Sequence, residues 1–262
     1  MRRKPSVTSF VRTISMAGDP RRATFVPPQA ELGLDWAFMD ASTDLLEGLR
    51  FDPDISRRHA KRLLTKSELG CYSSHVHAWR MLLAHPSASQ MIVLEDDVMV
   101  DWPLLGKIAA YDWAGSNVHY LKLHARGYPP ARHLTTRHPE FIYEHSPFYP
   151  HGLVHFTGLA LGTQAYLITR KAAASFEAQA RLVSRPIDRQ MDRAWGTGIP
   201  VIGFVPFPAI EQSGPSTIGY AGMDKVTLTL PQRARYYIAR ATELLRIRLY
   251  HHFAASPRLS RP

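Results

Sequence analysis

One cysteine, Cys71, stands in 262 residues. Its solitude excludes a disulfide within the chain and any zinc cluster built on cysteines, and it fits a reducing compartment. Long hydrophobic runs are missing too, since nothing approaches the ~20 consecutive apolar residues of a membrane span. The opening MRRKPSVTSFVRTISMAGDP is basic, but Ser, Thr and Arg12 interrupt what would have to be a continuous secretory core. There is no internal repeat and no low-complexity tract, which argues against a solenoid. Acids are scarce: 22 Asp and Glu face 32 Lys and Arg, for a formal charge of +10. A basic surface should attract phosphates, nucleic acid or an anionic membrane, and charge alone does not choose among them. The expectation is a cytoplasmic chain, at most peripheral on the inner face of the cytoplasmic membrane.

What is present is ordinary for a packed globular domain, with 45% hydrophobic and 21% charged residues. Short runs rich in β-branched and apolar residues predict strands at 7–15, 91–95, 118–123, 159–168 and 199–205. Thr65-Lys66-Ser67-Glu68 reads as a capping box. Leu69, Tyr72, Val76, Trp79 and Leu83 follow at helical spacing until His85-Pro86 ends the helix. Further helices are expected over 171–182 and, after Pro186, over 187–195. Strands alternating with helices imply an α/β sheet with helices on its faces.

Two stretches differ from this alternation. Residues 124–157 carry prolines at 129, 130, 139, 147 and 150 and six histidines, and they read as a long loop region suited to acceptor binding. From 231 onward seven Arg and one Glu place +6 of the net charge in 32 residues. There Ala234, Tyr237, Ile238, Ala241, Leu245 and Leu249 recur on one helical face. The expected organisation is a domain over 1–230 and a basic amphipathic helix or tail over 231–262.

The most informative stretch is MIVLEDDVMV, residues 91–100. Three adjacent acids repel one another, yet apolar residues flank them on both sides. A strand that delivers carboxylates at its C-terminal end places them where α/β proteins bind ligands. Alternation sends Glu95 and Asp97 to one side and Asp96 to the other if the strand continues that far. Such carboxylates form half of a site for Mg²⁺ or Mn²⁺. A bare E-D-D is equally readable as acids capping a solvated strand end.

LTKSELGCYSSHVHAW (64–79) followed by MIVLEDDV (91–98) resembles the signature of glycosyltransferase family 25, the lipooligosaccharide and lipopolysaccharide galactosyltransferases. ALGTQAYLITRKAAASF (160–176), RPIDRQMDR (185–193) and PAIEQSGPSTIG (208–219) are similar to later segments of that family, so the likeness covers roughly residues 8–220. Ser67 stands where the family has Gly, and the start (RTISMAGDPRRATF) resembles the family's opening only loosely.

The resemblance implies a GT-A type, Rossmann-like nucleotide-sugar-binding fold, an α/β architecture with a mixed sheet flanked by helices. It also implies an inverting, metal-dependent transfer of a hexose, galactose from UDP-galactose, to a lipid-linked oligosaccharide acceptor. Asp97 and Asp96 would hold Mn²⁺ or Mg²⁺, and Glu95 joins Asp188 as a catalytic candidate, Asp188 as general base with Asp192 in reserve. Glu68, His75, Thr163, Tyr166, Gln212 and Arg22 would contact donor or acceptor. Four of these have plainer readings: Glu68 closes its capping box, His75 is a satisfied buried histidine, Asp188 is a first-turn helix acid, and Tyr166 is a strand residue. His151 or His155 could add a metal ligand. Nucleic acid is not expected as a partner. The competing functions are a metal-dependent nuclease or phosphohydrolase using the same acids, and a non-catalytic membrane- or nucleic-acid-binding module built on the tail.

Overall fold

The structure is a computed structural model and describes residues 8–27, 33–127, 131–133, 151–212 and 228–253. The chain begins with β1 (Ser9–Ser15), a 3-10 turn (Pro20–Ala23) and β2 (Asp35–Asp40). Next come β3 (Arg50–Phe51), α1 (Pro53–Ala60), α2 (Lys66–Ala84) and β4 (Gln90–Glu95). β5 (Val98–Val100), α3 (Trp102–Ala110), β6 (Tyr120–Lys122) and the backbone strand β7 (Ala131–His133) follow. The second half holds β8 (Gly152–Phe156), β9 (Ala165–Thr169), α4 (Arg170–Ala180), β10 (Leu182–Val183), α5 (Ile187–Met191) and α6 (Ala194–Thr197). β11 (Ile202–Val205), β12 (Ala209–Glu211) and the 24-residue α7 (Leu230–Phe253) complete it.

Eight strands form one mixed sheet in the order β2-β1-β4-β9-β6-β11-β8-β7. β2, β1 and β4 run parallel, β9 is inserted antiparallel between β4 and β6, and β11 lies parallel to β6 and antiparallel to β8. This is the expected α/β class, with a Rossmann-like parallel unit at one side.

Strand alternation divides the core in two. Met91 and Val93 of β4 join Phe10, Tyr72, Val76 and Trp79 on one face, whereas Ile92 and Leu94 join Val11, Leu105, Ile108 and Trp113 on the other. α2 forms as its sequence requires. Thr65 Oγ1 accepts the Glu68 N–H at 3.2 Å, Glu68 Oε2 accepts the Thr65 N–H at 2.9 Å, and the chain leaves the helix at His85. Its apolar face meets α4, where the Trp79 and Phe176 rings cross edge to face at 5.4 Å.

Several expectations are corrected. The strand anticipated over 159–168 begins only at Ala165, because Leu161 and Gly162 take left-handed conformations (φ 55 and 77) that turn the chain. The helix anticipated over 187–195 breaks at Asp192 into α5 and α6. The region 124–157 is not all loop: β7 and β8 pair antiparallel within it, while 128–130 and 134–150 lie outside the described residues. Among the described residues no helix is long and apolar enough to cross a membrane. α7 covers Leu230–Phe253 of the expected 231–262 helix or tail, whose last nine residues lie outside the described residues, and Glu243 fastens it to the domain by accepting from Arg185 Nη1 and Arg193 Nε, each at 2.8 Å.

Candidate active site

β4 stops at Glu95, and Asp96 and Asp97 form the turn that leads into β5. The alternation expected to separate Asp96 from its neighbours therefore lapses, and all three acids line one cleft of about 500 Å³. The cleft sits beyond the C-terminal ends of the parallel strands β1, β2 and β4, beside the first turns of α2. Ser15, Ser42, Ser74, Cys71 and His75 line it together with three cations, Arg21 paired with Asp96, Arg126 with Glu211 and Lys66 with Asp44. The chain leaves β1 toward β2 at one side of the sheet and leaves β4 toward β6 at the other, which opens a crevice at the strand ends. Gly70 makes the wall possible: a Cβ on it would lie 2.3 Å from the Ser42 carbonyl oxygen, so only glycine lets α2 approach the loop after β2 so closely. The Ser74 hydroxyl closes the same contact, accepting the Ser42 N–H at 2.8 Å.

Each acid has its own environment. Burial pushes the Glu95 carboxyl upward, but bonds from His75 and Thr163 outweigh it and hold the pKa below its usual value; the Thr163 hydroxyl donates to Glu95 Oε1 at 2.5 Å. Asp96 is 7% exposed and pairs with Arg21 Nη1 at 2.8 Å, yet burial still raises its pKa. Asp97 is raised to about 7 by burial and by the charges of Glu95, Glu211 and Asp96. Asp96 Oδ2 and Asp97 Oδ1 are buried with no hydrogen-bond partner among the described residues. Two orphaned carboxylate oxygens in a cluster of like charge are the donor set that a hard divalent cation satisfies. Asp96 and Asp97 therefore fit the expected ion.

His75 is supported from below. Tyr166 accepts the Trp79 indole N–H at 3.0 Å, so its single proton goes to His75 Nδ1 at 3.0 Å, leaving His75 Nε2 protonated and 3.4 Å from Glu95 Oε1. Cys71, His75 and Glu95 gather within 4.8 Å. Burial, with the Glu95 and Asp188 charges, lifts the Cys71 thiol well above its usual range. The trio thus forms one wall of the cleft, close enough together to be a second candidate metal set, with His75 Nε2 lacking a hydrogen-bond partner among the described residues.

The family model described as glycosyltransferase family 25 (LPS biosynthesis protein) matches residues 9–191. The chain belongs to glycosyltransferase family 25. Among curated relatives, a glycosyltransferase 25 family member of Aedes aegypti is 37% identical over 76 residues, 26% of this chain and 12% of that protein. A probable inactive glycosyltransferase 25 family member 3 of Rattus norvegicus is 34% identical over 107 residues, 37% of this chain and 18% of that protein. The chain thus matches less than a fifth of the length of either relative.

The other residues singled out from the family resemblance divide by position. Glu95, Asp96, Asp97 and His75 line the cleft, and Thr163 anchors Glu95 from behind. Tyr166 is fully buried beneath His75 and presents no surface to a ligand. Glu68 is occupied by its capping box and by Arg62, 2.5 Å away, and does not line the cleft. Gln212 is exposed and reaches the site only through its backbone, donating to the Asp97 carbonyl at 2.7 Å. Arg22 turns to the Ser15 carbonyl and Asp40, and the neighbouring Arg21 takes the cleft-facing position. Asp188 lies outside the cleft lining, with Oδ2 accepting the Gly162 N–H at 3.3 Å, one residue from Thr163. Asp192 is buried against Lys122 at 3.2 Å and accepts the Leu161 N–H at 2.7 Å, which is a structural role. His151 and His155 are not among the lining residues. Arg21, Lys66 and Arg126 were not singled out in the sequence; only the basic excess hinted at such groups.

Proposed function

We propose that the cleft binds a nucleoside diphosphate sugar and that the chain transfers its hexose, galactose from UDP-galactose, with inversion to a lipid-linked oligosaccharide acceptor. The observation that carries this reading is the pair of carboxylates with orphaned oxygens at the strand ends, in a cleft that Arg21, Lys66 and Arg126 also line. A divalent ion held by Asp96 and Asp97 would neutralise the diphosphate charge that develops as the glycosidic bond breaks. Arg21, Lys66 and Arg126 are placed to attract the same phosphates. Glu95, fixed by Thr163 and His75, orients the site. Asp188 is the proposed base: the Gly162 N–H holds its carboxylate next to Thr163, which anchors Glu95, and an inverting transfer needs a base to take the acceptor hydroxyl's proton on the face of the sugar opposite the leaving group.

The test is hydrolysis and calorimetric binding across a panel of nucleotide sugars, with Mn²⁺, Mg²⁺ or chelator. Metal-dependent UDP binding with hydrolysis of one hexose donor is expected. A protein that binds no nucleotide under any of these conditions would end the reading. Metal-dependent cleavage of single-stranded DNA instead would favour the phosphohydrolase alternative.

A further inference from the structure

The tail helix α7 uses one side to hold the domain and leaves the other bare. Gln232, Tyr236, Ala239, Glu243, Ile247 and Tyr250 are half-buried, and at 3.6 residues per turn they share one stripe against the domain. Half a turn away lies a face of Tyr237, Ile238, Leu244, Leu245 and Leu249, all exposed, with Ala234 and Ala241 between them. Seven of the eleven exposed large hydrophobic side chains among the described residues belong to this helix. That concentration is more than the scattered exposure normal for a surface. Arg233 and Arg240 border one edge of the face, Arg235 and Arg246 the other. Arg248 falls within the face, near its end, where its long stem lets the head reach outward. The basic edge continues onto the domain, because Arg58 and Arg189 border the narrow recess that Tyr236 and Arg240 also line.

We propose that α7 is an interfacial helix that seats the domain on an anionic bilayer. Its outward apolar face would enter the headgroup–acyl boundary and its edge arginines would lie at the level of the lipid phosphates. Charge selects this occupant over a second copy of the chain. Apposed copies would bring arginine edges together, and the helix's one acid, Glu243, is already committed to Arg185 and Arg193. The surface shares no residue with the cleft, so it stands or falls apart from the transfer reading.

The test is flotation of the full chain with vesicles of phosphatidylcholine alone or mixed with phosphatidylglycerol, at low and high salt. Binding is expected to the mixed vesicles at low salt, to weaken with salt, and to be absent from phosphatidylcholine alone. Arg240→Gln with Arg246→Gln should weaken it about 30-fold, and Ile238→Asp with Leu245→Asp should abolish it at an unchanged melting temperature. Failure of the wild-type chain to float overturns the proposal, as does undiminished flotation of the Asp variant. A lipid-free dimer that the Asp pair converts to monomer would assign the face to self-association instead.

Discussion

At the residue scale, the structure assigns separate tasks to acids that stand side by side in sequence. Asp97 has its pKa raised from the ordinary 3.8 to about 7, so the fold favours its protonated form. The stability gained from that preference is fully present below about pH 4 and is lost as pH rises through 7. Without metal, wild type should therefore melt progressively lower than Asp97→Asn as pH is raised from 5 to 8. The two melting curves, recorded in chelator, check this, and parallel behaviour would mean that Asp97 is not electrostatically strained. The same substitution should remove the Mn²⁺ dependence of UDP binding. Asp188→Asn should instead leave UDP and Mn²⁺ binding near normal while slowing transfer ~10²-fold or more; transfer at the wild-type rate would strike Asp188 from the mechanism. The acids were legible because three carboxylates inside an apolar run need an external reason. Arg21 was not, since its choice over Arg22 depends on a 3-10 turn that Asp19 caps by accepting the Arg21 N–H at 2.9 Å. Tyr166 and His75 lie 91 positions apart, and only the pairing of β9 against β4 shows that one supports the other from below rather than both facing a ligand.

At the scale of elements, legibility followed how local the forces are. α2 was readable to its first residue because a capping box is a contact between residues three apart, and Thr65→Ala should cost about 1 kcal/mol in denaturant unfolding. β4 was readable because both its faces are buried, giving a continuous apolar run. β2 (DWAFMD) was missed: it lies at the sheet edge, and its side chains are mostly only half-buried. The segment 159–164 was mistaken for strand because small and apolar residues fit either state. What turns it is remote, for Lys122 Nζ donates to the Leu161 and Gly162 carbonyls at 2.7 and 2.9 Å while pairing with Asp192. Lys122→Met would leave the Asp192 carboxylate buried without its cation, and a loss of about 3–5 kcal/mol is expected from urea unfolding. Loosening this ridge should also weaken Thr163's hold on Glu95, so donor hydrolysis in Lys122→Met should fall even under conditions where the variant is fully folded.

At the scale of the whole molecule, the net charge of +10 is unevenly deployed: the cleft lining balances three acids with three cations, whereas α7 carries five arginines and one acid. The sequence disclosed the tail's composition and its helical stripe, but not which side of the helix would face the domain. Glu243 sits in the half-buried stripe with Tyr236 and Tyr250, and its pairing with Arg185 and Arg193 goes with the leucines turned outward. The side chains of this triad are only 10–14% exposed, and hydrogen bonds between charged groups in such surroundings contribute about 1.5–3 kcal/mol each. Glu243→Ala should therefore release the helix from the domain without unfolding the sheet. Amide exchange over 230–253 should accelerate ten-fold or more, while exchange in β1, β4 and β9 stays unchanged and Mn²⁺-supported UDP binding holds within about twofold, a change small beside the tenfold that 1.4 kcal/mol represents. If UDP affinity fell together with tail protection, the cleft and the tail would form one cooperative unit rather than two separate ones. If tail protection did not change, contacts of Tyr236, Ile247 and Tyr250 with the domain would be holding the helix, and the ion triad would serve only to set its rotation.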